Sequence, residues 1–516
     1  MKPQSISSIK RHRAAKMAMI ATRAVYLQKR GRNAEMATFI CNEFVSLGGI
    51  YIKFLQGVML QSEFFKQWQS PNRYNIFENL DTEIINLPKL LQKELSPTKL
   101  AKIAQVQPQP FAAGSFGQVY FGALRDGSPV VIKALRPLVR ETLQFDLKLI
   151  NIFAKQFFLK LYDNMQVDAT TALQEFRRSS LNETDYVSEA EFADELYKEY
   201  VNNDKFIIPK TFTDLCTANI IVQEYIGGIS GAQLIRLQEQ GVEPYSYVKE
   251  QLGSDLDQQL ITLGTEYVFG MFTIPRIQGD PHPGNVKFLE NNKVGLIDFG
   301  IFAPAPKDKP AFFALIEEYG KLYNGNLDIE ELFGKFLRVF ASNLYNAFKR
   351  LHDIRGENSQ EDLTRTIGKL AKKAFTLHTK KSETNLLLNE PNMLKMINQI
   401  VNKQNRFGLQ LTINSSEVIR AAQTYIALVE SMGRQDKVLP IMFDTATSKL
   451  RIEHPELTVE NPNNMTIARS IDIVTKWLER VANRDPVLFR KLLSQIKKGG
   501  GNIQNLDRTD KEILNV

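Results

Sequence analysis

The chain has 516 residues, of which 43% are hydrophobic and 24% are charged, a composition typical of a folded globular protein with two to four domain-sized units. Its two cysteines are too few for a disulfide framework, so we expect a reducing compartment. The formal net charge is +8, and the first 34 residues hold nine Lys or Arg and no acid. The rest of the chain holds 56 of the 65 basic residues and all 57 acidic ones, so its charges nearly balance. Nucleic-acid binding is therefore not expected.

The N-terminal segment, residues 1–36, is predicted to be a basic arm that is either an amphipathic helix or disordered. Lys16, Arg23 and Arg30 recur every seven residues and would line one side of a helix. A second, apolar side consists of Met17, Ile20, Ala24 and Leu27. This pattern is typical of attachment to an anionic membrane surface, and the lack of acids also fits a mitochondrial transit peptide. We therefore expect a cytoplasmic protein that is peripheral at the membrane, or a mitochondrial matrix protein if the segment is a transit peptide.

No membrane-spanning helix is expected. The best candidate, residues 260–275, contains Glu266 and is shorter than the ~18 uncharged residues that a transmembrane helix needs. We interpret it as a buried helix that precedes a catalytic loop. The tail after residue 498 combines three glycines with mixed polar residues and is predicted to be disordered.

Residues 111–133 predict a Gly-rich β-hairpin. They carry the last two glycines and the valine of the G-x-G-x-x-G-x-V pattern, and an alanine replaces the first glycine. Small residues let the backbone fold closely over phosphate oxygens and present its N–H groups. The second strand ends in Lys133, within V-V-I-K, whose ammonium would pair with the α- and β-phosphates. The residues assigned to nucleotide binding in this loop are Ala112, Ala113, Gly114, Ser115, Gly117 and Val119.

The segment after Lys133 has helical periodicity, and a carboxylate partner for the lysine is found only farther along the chain. Glu183, Asp185 and Glu189 are predicted to lie on one helix, which from the residues alone is also explained by a solvated acidic face. The N-terminal lobe then closes at Glu224 and Tyr225, whose backbone would receive the adenine.

The most informative stretch is residues 278–300, QGDPHPGNVKFLENNKVGLIDFG. Asp280 lies five residues before Asn285, and Asp298 opens a D-F-G after a short apolar run. In kinase-type phosphoryl transfer one Asp lies near the attacking hydroxyl, while an Asn and a second Asp hold Mg²⁺ on the ATP phosphates. The sequence therefore predicts Asp280 as the catalytic Asp, Asn285 and Asp298 as metal ligands, and ATP and Mg²⁺ as cofactors.

The chain resembles the UbiB family of atypical protein-kinase-like proteins, which is associated with isoprenoid-quinone (coenzyme Q) biosynthesis and lipid homeostasis. The Ala-rich loop AAGSFGQV, the acidic motif ETDYVSEA and the catalytic-loop ending DPHPGN match that family. The sequence YIKFLQ, residues 51–56, is similar to its K-x-G-Q motif, and residues 411–434 are a weaker match to its C-terminal helix. The likeness covers about residues 37–440.

The resemblance implies which acidic residue pairs with which lysine. Glu189 is expected to pair with Lys133, and Glu183 and Asp185 to face Lys53 and Gln56. In the family the residues at the positions of Lys53 and Gln56 fold over the active site where a protein substrate would bind. Members resemble ATPases or small-molecule kinases rather than general protein kinases. A lipid or phenolic small-molecule ligand is therefore the expected partner besides ATP.

Several positions depart from the family pattern. Leu55 stands where K-x-G-Q has glycine, which puts the close helix packing in doubt. Gln278 replaces the histidine two residues before the catalytic Asp. Gly114 replaces an alanine that is thought to restrain the loop. No A-P-E follows the D-F-G, so an extended segment for docking peptide substrates is not expected.

The fold class expected from these motifs is α+β, a bilobal protein-kinase-like fold with a helical N-terminal extension and a helical C-terminal region. We place the basic arm at residues 1–36, the extension with the K-x-G-Q-like motif at 37–100, and the N-lobe with a helical insert at 101–226. The C-lobe follows at 227–345, the helical C-terminal region at 346–497 and the tail at 498–516.

Three functions fit the motifs. The first is a UbiB-like ATPase or kinase that acts on a lipid-derived or other small substrate. The second is a small-molecule phosphotransferase of the aminoglycoside or choline kinase type, whose catalytic loops are similar but which lack the YIKFLQ and NETDY motifs. The third is a nucleotide-binding scaffold without turnover, which the complete set of phosphate and metal residues argues against.

Overall fold

The computed structural model describes residues 5–55, 59, 84–114, 116–155, 169–353, 415–459, 465–484, 486 and 489–490, and the structural statements below refer to these residues. The chain forms two compact units. The first comprises residues 1–305 and 417–438, and the second comprises residues 306–416 and 439–516.

Three helices open the first unit: α1 (Ile6–Lys29), α2 (Asn33–Leu47) and α3 (Ile50–Phe54). The apolar side of α1, formed by Met17, Ile20, Ala24 and Leu27, is buried in a core shared with α2 and α3. Residues 6–29 of the basic arm thus form an ordered helix, and for them the disordered alternative is wrong. Because the protein itself covers this apolar side, it is not available to a membrane.

A five-stranded antiparallel sheet follows two short helices, α4 (Leu87–Glu94) and α5 (Pro97–Leu100). Its strands are β1 (Ile103–Val106), β2 (Ala112–Ala113), β3 (Gly117–Leu124), β4 (Pro129–Leu135) and β6 (Ile220–Glu224). The order is β1-β3-β4-β6, with β2 paired to β3. The hairpin predicted for residues 111–133 is confirmed, and its turn has Gly127 at φ +87°.

Alternation along β3 and β4 gives the sheet two different faces. Tyr120 and Ile132 share a core with α4 on one face. Val119 lies opposite Lys133 in the β3–β4 ladder, so both belong to the other face, which borders the cleft.

Three helices connect β4 to the rest of the first unit: α6 (Val139–Phe153), α7 (Ala169–Asn182) and α8 (Tyr186–Tyr200). Asp146 on α6 has only 2% of its side chain exposed and forms an ion pair with Arg13 of α1. It also accepts a hydrogen bond of 2.9 Å from the hydroxyl of Tyr51 on α3. These contacts fix the N-terminal helices against the helical insert.

The remainder of the first unit carries the predicted catalytic loop between small sheets. Strands β5 (Phe206–Ile207), β7 (Ile229–Ser230), β9 (Val286–Phe288) and β10 (Val294–Leu296) form a sheet in the order β5-β10-β9-β7. Strands β8 (Arg276–Gln278) and β11 (Phe302–Pro304) form a second one.

Helices α9 (Gly231–Glu239), α10 (Pro244–Leu252) and α11 (Leu256–Thr273) lie between β7 and β8. Buried residues run along most of α11, which confirms the buried helix predicted for residues 260–275. A later helix, α15 (Ser415–Ser431), joins this unit, and the hydroxyl of Tyr425 donates to the carbonyl of Leu260 at 2.9 Å.

The second unit is helical in its described part. It contains α12 (Lys309–Gly320), α13 (Ile329–Phe340), α14 (Ser342–Asp353), most of α16 (Gln435–Glu453) and α17 (Ile467–Arg484). The boundary at residue 305 differs from the C-lobe limit of 345 drawn from the sequence. The reason is that α12 packs on α13, α13 on α14 and α14 on α17, so these helices share their contacts with one another. Of the described helices, none combines the length and apolarity needed to cross a membrane.

Candidate phosphate and metal site

The centre of the site is an ion cluster around Lys133 on β4. Its ammonium forms an ion pair with Glu189 in the first turn of α8 and lies 3.2 Å from Oδ2 of Asp298, two residues after β10. The side chain of Glu189 is 3% exposed, whereas that of Asp298 is 40% exposed. Glu189 therefore holds the lysine from inside the protein, and Asp298 presents its carboxylate to the cleft.

The charges in this cluster stabilise one another. Burial would lower the pKa of Lys133, but Asp298 and Glu189 outweigh it and raise the pKa above its usual range. Burial would raise the pKa of Asp298, but the Lys133 ammonium and the N–H of Gly300, which donates to Oδ1 at 3.1 Å, hold it below the usual range. Burial raises the pKa of Glu189 in spite of Lys133. Lys133 and Asp298 are thus charged at neutral pH.

The predicted catalytic loop, residues 280–285, is held in shape by hydrogen bonds between side chains and backbone. The amide nitrogen of the Asn285 side chain donates to the carbonyl of Asp280 at 3.2 Å, and the Asn285 carbonyl accepts from Ile297 at 3.1 Å. Nδ1 of His282 accepts from the N–H of Gly284 at 3.1 Å. Asp280 and Asn285 are therefore positioned together, one strand away from Asp298. Their catalytic and metal-binding roles stay predictions.

Gln278 joins this loop to the strand end that carries Asp298. The side chain is buried, and its Nε2 donates to the carbonyls of Asp280 at 2.7 Å and Asp298 at 3.0 Å. Its Oε1 accepts from the N–H of Asp280 at 3.0 Å and from the hydroxyl of Tyr267 at 3.2 Å. Both donors and both acceptor positions of the amide are used. The departure from histidine thus supplies a neutral link with four hydrogen bonds.

The Gly-rich loop that joins β2 to β3 closes over the cleft at Gly114 and Gly117. The N–H of Gly114 donates to the carbonyl of Gly117 at 2.9 Å, and β2, which holds Ala112 and Ala113, is exposed. A Cβ on Gly117 would come within 2.5 Å of the Tyr186 hydroxyl and 2.8 Å of the Ala134 carbonyl, so only glycine fits there. A Cβ on Gly114 would meet one atom, at 3.9 Å. Ser115 lies outside the described residues.

Lys53 reaches the site from α3. Its ammonium forms an ion pair with Glu183 and lies 5.4 Å from the ring centroid of Phe116 in the loop. Ser179 adds a hydrogen bond of 3.2 Å to the same carboxylate. Leu55 is fully buried in the core formed with the N-terminal helices, so a leucine packs at this position of the motif. Gln56 lies outside the described residues.

The three acids of the ETDYVSE segment do not share one helix, as the sequence suggested. Helix α8 begins at Tyr186, and Asp185 is its N-cap, accepting hydrogen bonds from the N–H and hydroxyl of Ser188 at 3.2 and 2.8 Å. Glu183 lies in the turn before the cap. Because Asp185 caps α8 and ends the preceding turn, the three acids have different partners. Glu183 pairs with Lys53, Asp185 caps the helix, and Glu189 pairs with Lys133.

The strand that would receive the adenine already uses its amide groups. The N–H of Glu224 donates to the carbonyl of Lys210 at 2.9 Å, and the N–H of Tyr225 donates to the carbonyl of Pro129 at 3.0 Å. The Glu224 carboxylate accepts from the N–H of Lys210 at 3.1 Å. The two backbone donors assigned to the nucleotide are therefore engaged within the protein, and an adenine there would have to use other groups.

A lysine paired with a helical glutamate, beside a strand-end aspartate and an Asp/Asn loop, defines a protein-kinase-like site. In agreement, residues 80–320 match the model of the ABC1 atypical kinase-like domain. This part of the chain is an ABC1 atypical kinase-like domain, and the recognition of the UbiB family is confirmed.

Two curated relatives are similar over about half of the chain. "Protein ACTIVITY OF BC1 COMPLEX KINASE 3, chloroplastic" of Arabidopsis thaliana is 27% identical over 54% of this chain and 38% of that protein. "Atypical kinase COQ8B, mitochondrial" of Rattus norvegicus is 29% identical over 45% of this chain and 42% of that protein. The chain thus matches less than half of the length of either. The solved Rv3197–erythromycin complex from Mycobacterium tuberculosis has a TM-score of 0.43 at 18% identity and covers 81% of this chain and 98% of that chain.

Sequence reasoning missed three residues that build the site. Tyr186 fills the space beneath Gly117, and Phe116 carries the loop contact with Lys53. Gln278 was noticed only as a departure. The signal for Tyr186 was present, because the acidic motif contains a tyrosine next to the capping Asp185. For Gln278 no pattern indicates partners that lie 2 and 20 residues away.

Gly117→Ala and Gly114→Ala form a matched pair that tests the loop packing. We expect Gly117→Ala to lower the free energy of unfolding by about 1–3 kcal/mol, because the new methyl group collides with Tyr186 and the Ala134 backbone. Gly114→Ala should change it by less than about 1 kcal/mol, because nothing lies close to the added methyl group. Urea unfolding of both variants measures the difference, and equal losses would contradict the loop geometry.

Gln278→Leu tests the link between the catalytic loop and Asp298. The leucine removes four hydrogen bonds from buried backbone and Tyr267 groups, so we expect a loss of about 3 kcal/mol in the free energy of unfolding. Gln278→His keeps part of the hydrogen bonding and should lose less. Gln233→Leu on the exposed surface of α9 is the control. A Gln278→Leu variant as stable as that control would show that the amide does not hold the loop.

Proposed function

We propose that this protein is a UbiB-like atypical kinase or ATPase that binds Mg-ATP in the cleft around Lys133. It supports isoprenoid-quinone or other membrane-lipid metabolism, either by ATP hydrolysis or by phosphorylating a lipid-derived or phenolic small molecule. The observation that carries the proposal is the ion cluster of Lys133, Glu189 and Asp298, assembled from three separate segments. The ABC1 atypical kinase-like domain supports it.

The donor groups present suit Mg²⁺. Asp298 offers a carboxylate and Asn285 an amide oxygen, and Mg²⁺ is usually held by one or two carboxylates together with substrate phosphates. The described residues contain no group of three or more His, Cys, Asp or Glu side chains that could hold a metal without substrate. When bound with ATP, Mg²⁺ neutralises charge on the phosphates.

The residues of the chain divide the remaining work. Lys133 binds the phosphates, and Glu189 fixes the direction of its ammonium. The Gly-rich loop between β2 and β3 supplies backbone N–H groups to the phosphates. Asp280, placed by Gln278, orients the attacking hydroxyl or water and accepts its proton.

Lys53 favours a UbiB-like protein over an aminoglycoside or choline kinase type. The ion pair of Lys53 with Glu183 and its contact with Phe116 make the N-terminal extension part of the wall of the site. Such a wall restricts access and favours a small substrate. A scaffold without turnover has the same geometry, so a rate measurement separates it from an enzyme.

Asp298→Asn and Asp280→Asn separate metal binding from catalysis. We expect Asp298→Asn to abolish the Mg²⁺-dependent thermal stabilisation by ATP, because the metal loses its carboxylate. Asp280→Asn should keep that stabilisation and lower ATP turnover by about 10²–10⁴-fold, because only proton transfer is lost.

The assay measures Mg²⁺-dependent ATP hydrolysis with and without anionic liposomes and a phenolic quinone-precursor analogue. Asp204→Asn, an exposed change of the same kind, is the control. Stabilisation by ATP without turnover under any of these conditions would leave the scaffold as the function. Unchanged Mg²⁺-dependent binding in Asp298→Asn would remove that residue from the metal site.

We also propose that α1 attaches the protein to an anionic membrane surface, through its outward side. Arg13 and Lys16 already form ion pairs within the protein, with Asp146 and Glu43. The outward side instead exposes apolar Met19, Val25 and Tyr26, together with basic Arg11, Arg23, Lys29 and Arg30. An exposed apolar stripe bordered by basic residues is typical of a helix that lies in a membrane interface. The chloroplast and mitochondrion in the names of the relatives leave the organellar alternative in place.

The double variant Arg11→Glu/Lys29→Glu tests this surface. Each basic residue near an anionic surface contributes about 1 kcal/mol, so binding to phosphatidylglycerol vesicles should weaken by roughly tenfold or more. Lys249→Glu/Lys437→Glu changes the net charge equally, at exposed sites elsewhere in the first unit, and should leave binding unchanged. Vesicle co-sedimentation measures both. Equal loss in the two variants would indicate a net-charge effect instead of a surface on α1.

A further inference from the structure

Three aromatic side chains form a partly exposed cluster beside the loop. The rings of Phe111 and Phe121 stack with centroids 3.9 Å apart at an angle of 21°. The ring of Tyr225 meets Phe121 edge-on, with centroids 4.9 Å apart. Phe111 is 48% exposed and Tyr225 is 37% exposed. Single exposed apolar residues are ordinary on a protein surface, but a stacked group of three aromatic side chains offers a flat surface for another ring.

This cluster lies on the cleft face of the sheet. Phe121 is two residues from Val119 on β3 and therefore shares its face, and Val119 lies opposite Lys133. Phe111 is attached beside Val119, since its N–H donates to the Val119 carbonyl at 3.0 Å. Tyr225 follows the end of β6. Phe121 lies farther along β3 from the loop than Val119 does, so a nucleotide with its phosphates at Lys133 and under the loop would extend its base toward this cluster.

The backbone donors at this end are already occupied. The N–H groups of Glu224 and Tyr225 donate to Lys210 and Pro129, as described above. Recognition of the base by these two amides is therefore excluded in this conformation. Stacking of a base on an aromatic side chain contributes a factor of roughly 5 to 150 in affinity and differs little between bases, because every base has a π-face.

We propose that the nucleotide base is held by stacking on the exposed face of Phe111, which Phe121 and Tyr225 support from behind. The site then accepts ATP and GTP with similar affinity. This inference rests on the proposed function, since it places the phosphates at Lys133, and it deepens that function by naming how the base is recognised.

The test compares dissociation constants of the full chain for Mg-ATP, Mg-GTP and Mg-tripolyphosphate, which lacks a base. In Phe111→Ala the affinity for ATP and GTP should fall by roughly tenfold, and that for tripolyphosphate should stay unchanged. Phe111→Tyr keeps a ring and should restore binding. Ile152→Ala removes another exposed apolar side chain, on α6, and is the matched control.

Each other outcome overturns the inference in a distinguishable way. Unchanged ATP affinity in Phe111→Ala, or wild-type preference of ATP over GTP beyond about a hundredfold, refutes base stacking while the Mg-dependent phosphate site stands. Weaker binding of a phenolic quinone-precursor analogue instead of nucleotide would assign the cluster to the second substrate. If the wild type binds neither ATP nor tripolyphosphate, the proposed function fails together with this inference.

Discussion

The sharing of one ammonium, that of Lys133, between two carboxylates is the interaction on which the site depends. Charges in a partly buried cleft interact strongly, and a buried charge without a partner is costly, so the three groups require one another. Lys133 comes from the β-sheet, Glu189 from α8 and Asp298 from the end of β10, so the cluster forms only when these elements are assembled. Two carboxyl groups around one ammonium also make the cleft suited to a cation.

The asymmetry between the two carboxylates gives the cluster a direction. Glu189 is buried and is surrounded by Lys133 and the backbone of Phe299, so its position is fixed from the interior. Asp298 has 40% of its side chain exposed, so its carboxylate is accessible from the cleft as well as to the lysine. The side chain of Gln278 holds the backbone of Asp298 in a fixed position relative to the predicted catalytic loop. Because this side chain is uncharged, the link does not change with protonation near neutral pH.

The N-terminal helices belong to the site as well as to the fold. Phe54 and Leu55 share a core with Phe116 of the loop and Tyr186 of α8. The Lys53 ammonium lies between Glu183 and the Phe116 ring. The Gly-rich loop therefore rests on the extension, and a displacement of these helices would change the loop and the cleft together.

Helix α1 has apolar residues on two sides, and the sequence identified only the side that the protein itself buries. Periodicity identifies an apolar side but does not say what covers it. The side of Met17 and Ile20 packs on α2 and α3, and the side of Met19 and Tyr26 faces outward. Only the packed structure separates an internal face from one that is available to a surface.

The sequence by itself determined the class of the protein, the order of its motifs, the hairpin that ends in Lys133 and the buried helix before the catalytic loop. These depend on short-range spacing and on hydrophobic alternation, which are legible along the chain. The tertiary structure decided how the three acids are shared, because the cap formed by Asp185 divides a segment that reads as one helix. It also decided that Leu55 is buried in a core, that the amides of Glu224 and Tyr225 are occupied, and that Gln278 connects the Asp280 loop to the strand end at Asp298. Such outcomes depend on partners distant in sequence, and a single chain carries no local signal for them.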